Sequence, residues 1–180
     1  MNQLKRFFIN VALIIVAFII YFLQSNFFSW FTISGVKPNL FIIYILFIGL
    51  FGKREMGVIY GAIIGVFIDL LLKEKVGSNL VGLALIGALA TAFDKNFSKD
   101  SRVTIMFMVF GTTIIFEVVT YIINIMLYTI NIEIFNFIKI LSIEVVYNLL
   151  ITIIIYPLIQ KAGYYIENEY KGNKILTKFF

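Results

Sequence analysis

Residues 56–72 read MGVIYGAIIGVFIDLLL, an unbroken apolar run of 17 residues with Gly57, Gly61 and Gly65 at four-residue intervals and an acid, Asp69, closing the series. Four-residue steps advance about 400° around an α-helix, so these positions drift only about 40° per step and form one stripe on one face. Another helix can come close along such a stripe. The run therefore reads as a tightly packed helix of a membrane protein. An ionised carboxylate at the centre of an apolar helix costs roughly 2.5–3.5 kcal/mol on insertion scales, so Asp69 calls for a partner or an interior position. Two roles stay open for it: the outer cap of its own helix, or a specific part in packing or partner binding.

The rest of the chain fits a membrane setting. Its 180 residues are 61% hydrophobic and 14% charged, with a mean hydropathy of +0.99. A soluble domain of this length keeps a largely polar surface and has no use for so much apolar residue. The length leaves space for about six spans of 17 to 25 residues joined by short connections. With no cysteine and no histidine, disulfides, thiol nucleophiles, imidazole bases and the commonest metal ligands are removed together. No cofactor is expected. The net charge of +5 would suggest nucleic acid in a soluble chain. Here the basic residues lie in short stretches between apolar segments and read as topology determinants, with membrane lipid as the surrounding partner.

Apolar segments fall at 7–23, 40–51, 56–72, 80–93, 103–128 and 137–159. They predict an all-α fold: one polytopic domain over residues 1–160 with six transmembrane helices in a bundle, then a cytoplasmic or interfacial tail at 161–180. Lys5 and Arg6 precede a first run that reaches Leu23 without a small-x-small cleavage site, so it reads as a retained span. Phe27, Phe28, Trp30 and Phe31 would anchor it at the far interface. Residues 40–51 cover only about 18 Å against a core of about 30 Å, which leaves a re-entrant segment open. Charge placement arbitrates. Six spans with both termini in the cytoplasm put 11 basic residues inside and 4 outside, better than either five-span arrangement. Segment four carries its own small stripe, Ala84, Ala88 and Ala92, expected to face the glycines of segment three in small-xxx-small packing.

Two further acids lie inside apolar segments, Glu117 and Glu144, with Asn124 and Asn148 sharing their helix faces. Counted at about 1.5 Å per residue, all three acids fall in or near the outer half of the bilayer, with Glu117 level with Asn148. Helices five and six are expected to appose these faces, with Glu117 hydrogen-bonded to Asn148. The set reads either as a network joining two helices or as a groove that accepts a polar group from another membrane protein or a ligand. Acids without an intramembrane Lys or Arg make a poor proton relay. The outer loops offer only Lys37, Lys73, Glu74, Lys75, Glu133 and Lys139, short of a catalytic constellation of acid, base and cation. No enzyme activity is expected.

Residues 37–82, KPNLFIIYILFIGLFGKREMGVIYGAIIGVFIDLLLKEKVGSNLVG, resemble the rod shape-determining MreD family of bacteria. The positions that carry the resemblance are Pro38, Asn39 and Leu40 opening the second helix, and Lys53 and Arg54 in a basic turn. Gly61, Gly65, Asp69, Leu70 and Leu71 follow, then Gly77, Asn79 and Leu80. Asn39 stands where that family usually has Asp. The resemblance implies a non-enzymatic component of the cell-elongation machinery in the bacterial cytoplasmic membrane. It would act as a scaffold or partner of MreC, beside MreB, the glycosyltransferase RodA and its transpeptidase, in peptidoglycan synthesis. It also implies a six-helix fold similar to the substrate-binding S-components of energy-coupling-factor transporters. That supplies the alternative function, a vitamin-binding transporter component. Against it, a coupling subunit would dock on small residues of the first helix, where this chain has only Ala12 and Ala17.

Overall fold

The computed structural model describes residues 2–72, 77–128 and 133–172; the loop residues Lys73, Glu74 and Lys75 and the tail beyond residue 172 lie outside them. Every regular element among the described residues is helical, as the apolar segments predict. The chain comprises α1 (Asn2–Phe22), α2 (Leu40–Phe51), α3 (Met56–Leu72), α4 (Ser78–Asn96), α5 (Arg102–Tyr128) and α6 (Ile134–Lys171). A π-helical turn (Leu23–Phe27) and a short helical turn (Phe28–Trp30) prolong α1. Three stretches are long and apolar enough to cross a membrane: Gln3–Trp30, Arg102–Leu127 and Ile134–Lys171. Leu40–Phe51 and Met56–Leu71 are shorter apolar helices.

The shortness of α2 follows from where it stands. All twelve of its residues are buried, and it touches every other helix of the bundle. A helix that meets protein on all sides reads as hydrophobic all round and has no bilayer thickness to match. Its terminal backbone groups, which no intrahelical bond can satisfy, are met by other elements. At its start, Asn39 N donates to Asn148 Oδ1 at 2.7 Å and Leu40 N to Gln24 Oε1 at 3.1 Å. At its end, the Leu50 carbonyl accepts from Lys99 Nζ at 3.1 Å and Lys171 Nζ at 2.8 Å. Ammonium groups at a helix C-terminus also complement its dipole.

The glycine stripe of α3 lies against the backbone of α4. A Cβ added at Gly61 would sit 2.3 Å from the Leu83 carbonyl oxygen, and one at Gly65 2.5 Å from that of Asn79. One at Gly87 would fall 2.2 Å from the backbone of Gly57. The α4 face that receives the stripe is thus Asn79, Leu83 and Gly87, not the predicted Ala84, Ala88 and Ala92. Only the backbone of Ala84 approaches Gly61, while Ala88 and Ala92 are exposed. The reason is steric: glycine at 87 lets two backbones touch, and an alanine methyl at that position would hold them apart.

The last helix departs from expectation at its C-terminal end. Residues 161–171, read as a tail, continue α6 through Pro157 to Lys171 and fold back on the bundle. Lys5 Nζ meets Glu169 Oε1 at 3.3 Å, Arg6 Nη2 donates to the Glu169 carbonyl at 3.1 Å, and the Tyr170 hydroxyl reaches Asn10 at 2.7 Å. Gly163 lies against the Phe51 ring, where a Cβ would come within 2.6 Å. Thr91 Oγ1 donates to the Arg54 carbonyl at 2.9 Å. Successive helices therefore alternate in direction, and the start of α1, the turn between α2 and α3 and the end of α6 share one end of the bundle, here termed the basic end.

Candidate functional site

At the end opposite the basic one, three acids are placed in two different settings. Asp69 is fully buried, one turn from the end of α3. Its carboxylate accepts from Gly77 N at 2.9 Å, Asn79 N at 3.2 Å, Leu80 N at 3.1 Å and Asn79 Nδ2 at 2.8 Å. These are the amides at the start of α4, the groups an N-cap ordinarily satisfies from its own helix. Asp69 caps the next helix in space and adds a negative charge at the positive end of its dipole. Gly77, at φ +152°, supplies the backbone conformation that points its amide back at the carboxylate, a conformation open to glycine. Asp69, Gly77 and Asn79, three positions of the family-like motif, thus form a single structural unit with the glycine stripe.

The α5–α6 pair is built otherwise. The predicted faces do meet, but one helical turn out of the expected register. Asn148 does not wait on Glu117: its Nδ2 donates to Thr113 Oγ1 at 3.1 Å while its Oδ1 receives Asn39 N. Glu117 instead lies beside Glu144, whose carboxyl is also within reach of Asn148 and Asn39. Glu144 is 7% exposed, and its Oε1 is buried with no hydrogen-bond partner among the described residues. Buried polar atoms in folded proteins are nearly always paired, so this oxygen stands out from the rest of the helix pair.

Two adjoining cavities open beside this pair. One, of about 300 Å³, is lined by Gln24, Asn39, Asn79, Glu117, Thr120 and Asn124 over an apolar floor that includes Phe41 and Phe116. The other, of about 320 Å³, shares Glu117, Thr120 and Asn124 and reaches the exposed Glu133 and Asn136. Of the sequence candidates, Glu117 and Asn124 line these spaces, Glu144 lies beside Glu117 but lines neither, Asn148 ties α2 to α5, and Asp69 belongs to the α3–α4 unit. Gln24, Thr113 and Thr120 were not singled out from the sequence. Gln24 is the first polar side chain after an apolar run, a signal that was available. Threonines give little signal, because in helices they commonly bond their own backbone, as Thr120 Oγ1 does to Phe116 O at 2.9 Å.

The basic end holds a third set of charges, an arrangement not foreseen from the sequence. Asp94 bridges Lys99 and Lys171, each at 2.7 Å, and Lys99 also meets Glu167 at 2.7 Å. Burial alone would raise the Asp94 carboxyl, but the hydrogen bonds and charges of Lys171 and Lys99 outweigh it and hold the group below its ordinary value of 3.8. These same lysines close the end of α2, so the cluster fixes α2, α4 and α6 to one another.

Comparison with curated proteins gave no match, and comparison with solved structures gave none. A family model described as rod shape-determining protein MreD matches residues 5–163, nearly the whole chain and every helix of the bundle, so the chain belongs to the MreD family and to rod-shape determination.

Proposed function

We propose that this protein is a non-enzymatic, six-span scaffold of the cell-elongation complex, a partner of MreC that works beside MreB, RodA and its transpeptidase. The observation that carries the reading is the family match across residues 5–163. Asp69, the acid of the family-like motif, is engaged in capping α4, which suits a structural part for that residue. The exposed apolar side chains of α1, among them Phe7, Phe8, Ile15, Phe18 and Phe22, suit lipid or the membrane helix of a partner.

With the basic end in the cytoplasm of a bacterial cell, both termini are inside and the outer surface carries the cavities. The cysteine-free sequence makes this simple to check. A single cysteine at Lys37 should react with a membrane-impermeant reagent in intact spheroplasts and one at Lys53 should not; the reverse pattern rejects the topology. The scaffold role is tested by purifying the protein from native membranes in mild detergent and identifying what accompanies it. Recovery of MreC, RodA or the transpeptidase supports the role. The outer cavities favour a second reading, the S-component of an energy-coupling-factor transporter. Recovery of paired ATPases with a coupling membrane protein would replace the first reading with that one.

A further inference from the structure

Between α1 and α3 the bundle leaves a lateral groove of about 390 Å³. The buried Phe41 and Ile64 form its floor, Ile14 and Ala17 line one wall, and the exposed Ile59 and Ile63 line the other. The two helices meet at its ends. Toward the outer surface, the Phe67 ring meets Phe18 and Tyr21 edge-on, with centroids 5.6 and 5.8 Å apart. Toward the basic end, Asn10 Oδ1 accepts from the Tyr60 hydroxyl at 3.2 Å and from the Tyr170 hydroxyl at 2.7 Å. From Asn10 to Phe18 the groove runs about 12 Å along α1. A helix of that length, with its side chains, fills on the order of 1,000 Å³, so the groove suits an alkyl chain and is too small for a helix.

Beyond the Asn10 end the surface turns cationic. Arg6 stands one turn of α1 further out, its guanidinium 5.5 Å from the centre of the Tyr170 ring. Lys53 and Arg54 lie in the turn that leads into α3, six and seven residues before Tyr60, and all three cations are exposed. Lys5 pairs with Glu169 at 3.3 Å. Arg6 instead gives Nε and Nη2 to the Glu169 carbonyl, and Lys53 and Arg54 form no ion pair among the described residues. The acids on these same segments are Glu55 and Glu169, so Lys5, Arg6, Lys53 and Arg54 leave positive charge in excess. An apolar slot that runs out into tyrosine hydroxyls and then into cations has the order of parts of an anionic phospholipid: tail, interface, phosphate. A zwitterionic lipid would fill the slot and leave the excess charge unmet.

We propose that this groove is a binding site for an anionic phospholipid, with one acyl chain lying between α1 and α3 and the phosphate among Arg6, Lys53 and Arg54. The site stands whether the protein serves as scaffold or as transporter component, and its test does not involve partner recovery. The full-length protein, delipidated in detergent, is melted with phosphatidylglycerol, with phosphatidylcholine, and with glycerol phosphate, which carries the charge without a tail. Saturating phosphatidylglycerol should raise the melting temperature by about 5 °C, and neither control should. The double variant Lys53→Gln, Arg54→Gln alters exposed side chains, so it should melt normally without lipid. It should need at least about tenfold more phosphatidylglycerol for the same rise, since each cation near the headgroups adds several-fold to the affinity. Ala17→Phe fills the groove, keeps every charge and should abolish the rise; if it does not fold, Ile63→Trp, at an exposed wall position, should do the same. An equal rise with phosphatidylcholine means unselective lipid contact, and an equal rise with glycerol phosphate means that the cations bind phosphate without the groove. No rise with phosphatidylglycerol leaves the groove to side chains of a neighbouring membrane helix. Any of these three results, or an undiminished rise in the variants, overturns the proposal.

Discussion

In the α3–α4 hairpin the acid is met by four donors within 3.2 Å; in the α5–α6 pair two acids lie side by side and one oxygen has no partner among the described residues. Both regions are buried and at the same end of the bundle. Their difference separates a carboxylate that builds the fold from one that burdens it. Asp69 replaces water with amides that would themselves be orphans, so acid and helix start satisfy each other. Glu144 loses water and lies against a second carboxyl, with Asn148 and Asn39 as its neighbouring polar groups.

The largest effect should come from the close approach that sets the hairpin. Gly61→Ile or Gly87→Ile places side-chain atoms where backbone lies within 2.3 Å of the first added carbon. The cost is about 3 kcal/mol or more, read as loss of the monodisperse species in fluorescence-detected size-exclusion chromatography. Unchanged elution and melting would remove the stripe from the account. Next comes the acid itself. Asp69→Leu strands the α4 amides and should cost about 3 kcal/mol, whereas Asp69→Asn, keeping one acceptor oxygen, should cost about 1 kcal/mol. If Asp69→Leu proves no more harmful than Glu144→Leu, the contrast between the two regions fails.

The charge cluster at the basic end calibrates the scale between them. Its side chains are 10–16% exposed, so removing one partner, as in Lys99→Met, should cost about 2 kcal/mol after allowance for solvent. Because folding lowers the Asp94 carboxyl below 3.8, its contribution is complete above that value and disappears as pH falls through the lowered one. Melting temperatures of wild type and Asp94→Asn should therefore converge under strong acid and differ at neutral pH. A gap that widens on acidification would reverse the sign. The smallest change belongs to Glu144→Gln, which should alter stability by no more than about 0.5 kcal/mol, or raise it. A loss comparable to that of Asp69→Leu would show that Glu144 is also part of the framework.

Hydropathy and spacing carried much of this. The apolar runs at 40–51 and 56–72 coincide with α2 and α3, because periodic glycine and continuous apolar character are local properties. What escaped is relational. A run of small residues cannot say which of two adjacent faces wins, and Gly87 prevails over Ala84 and Ala88 only because its partner is Gly57. The expected Glu117 and Asn148 pair missed by one turn because the register of α5 on α6 is also set by Asn148 reaching back to Asn39. The α6 extension was invisible to hydropathy, since polar residues there face other polar groups across 160 or more positions of sequence.

The burial of α2 bears on biogenesis. The second hydrophobic segment to leave the ribosome is the one whose ends are closed by Asn148, Lys99 and Lys171, residues synthesised much later. Twelve residues are too few to settle stably in lipid by themselves, so this helix should reach its final setting only once α5 and α6 are made and enclose it. Nascent chains arrested near residue 130 should leave it open to protease, and full-length chains should not.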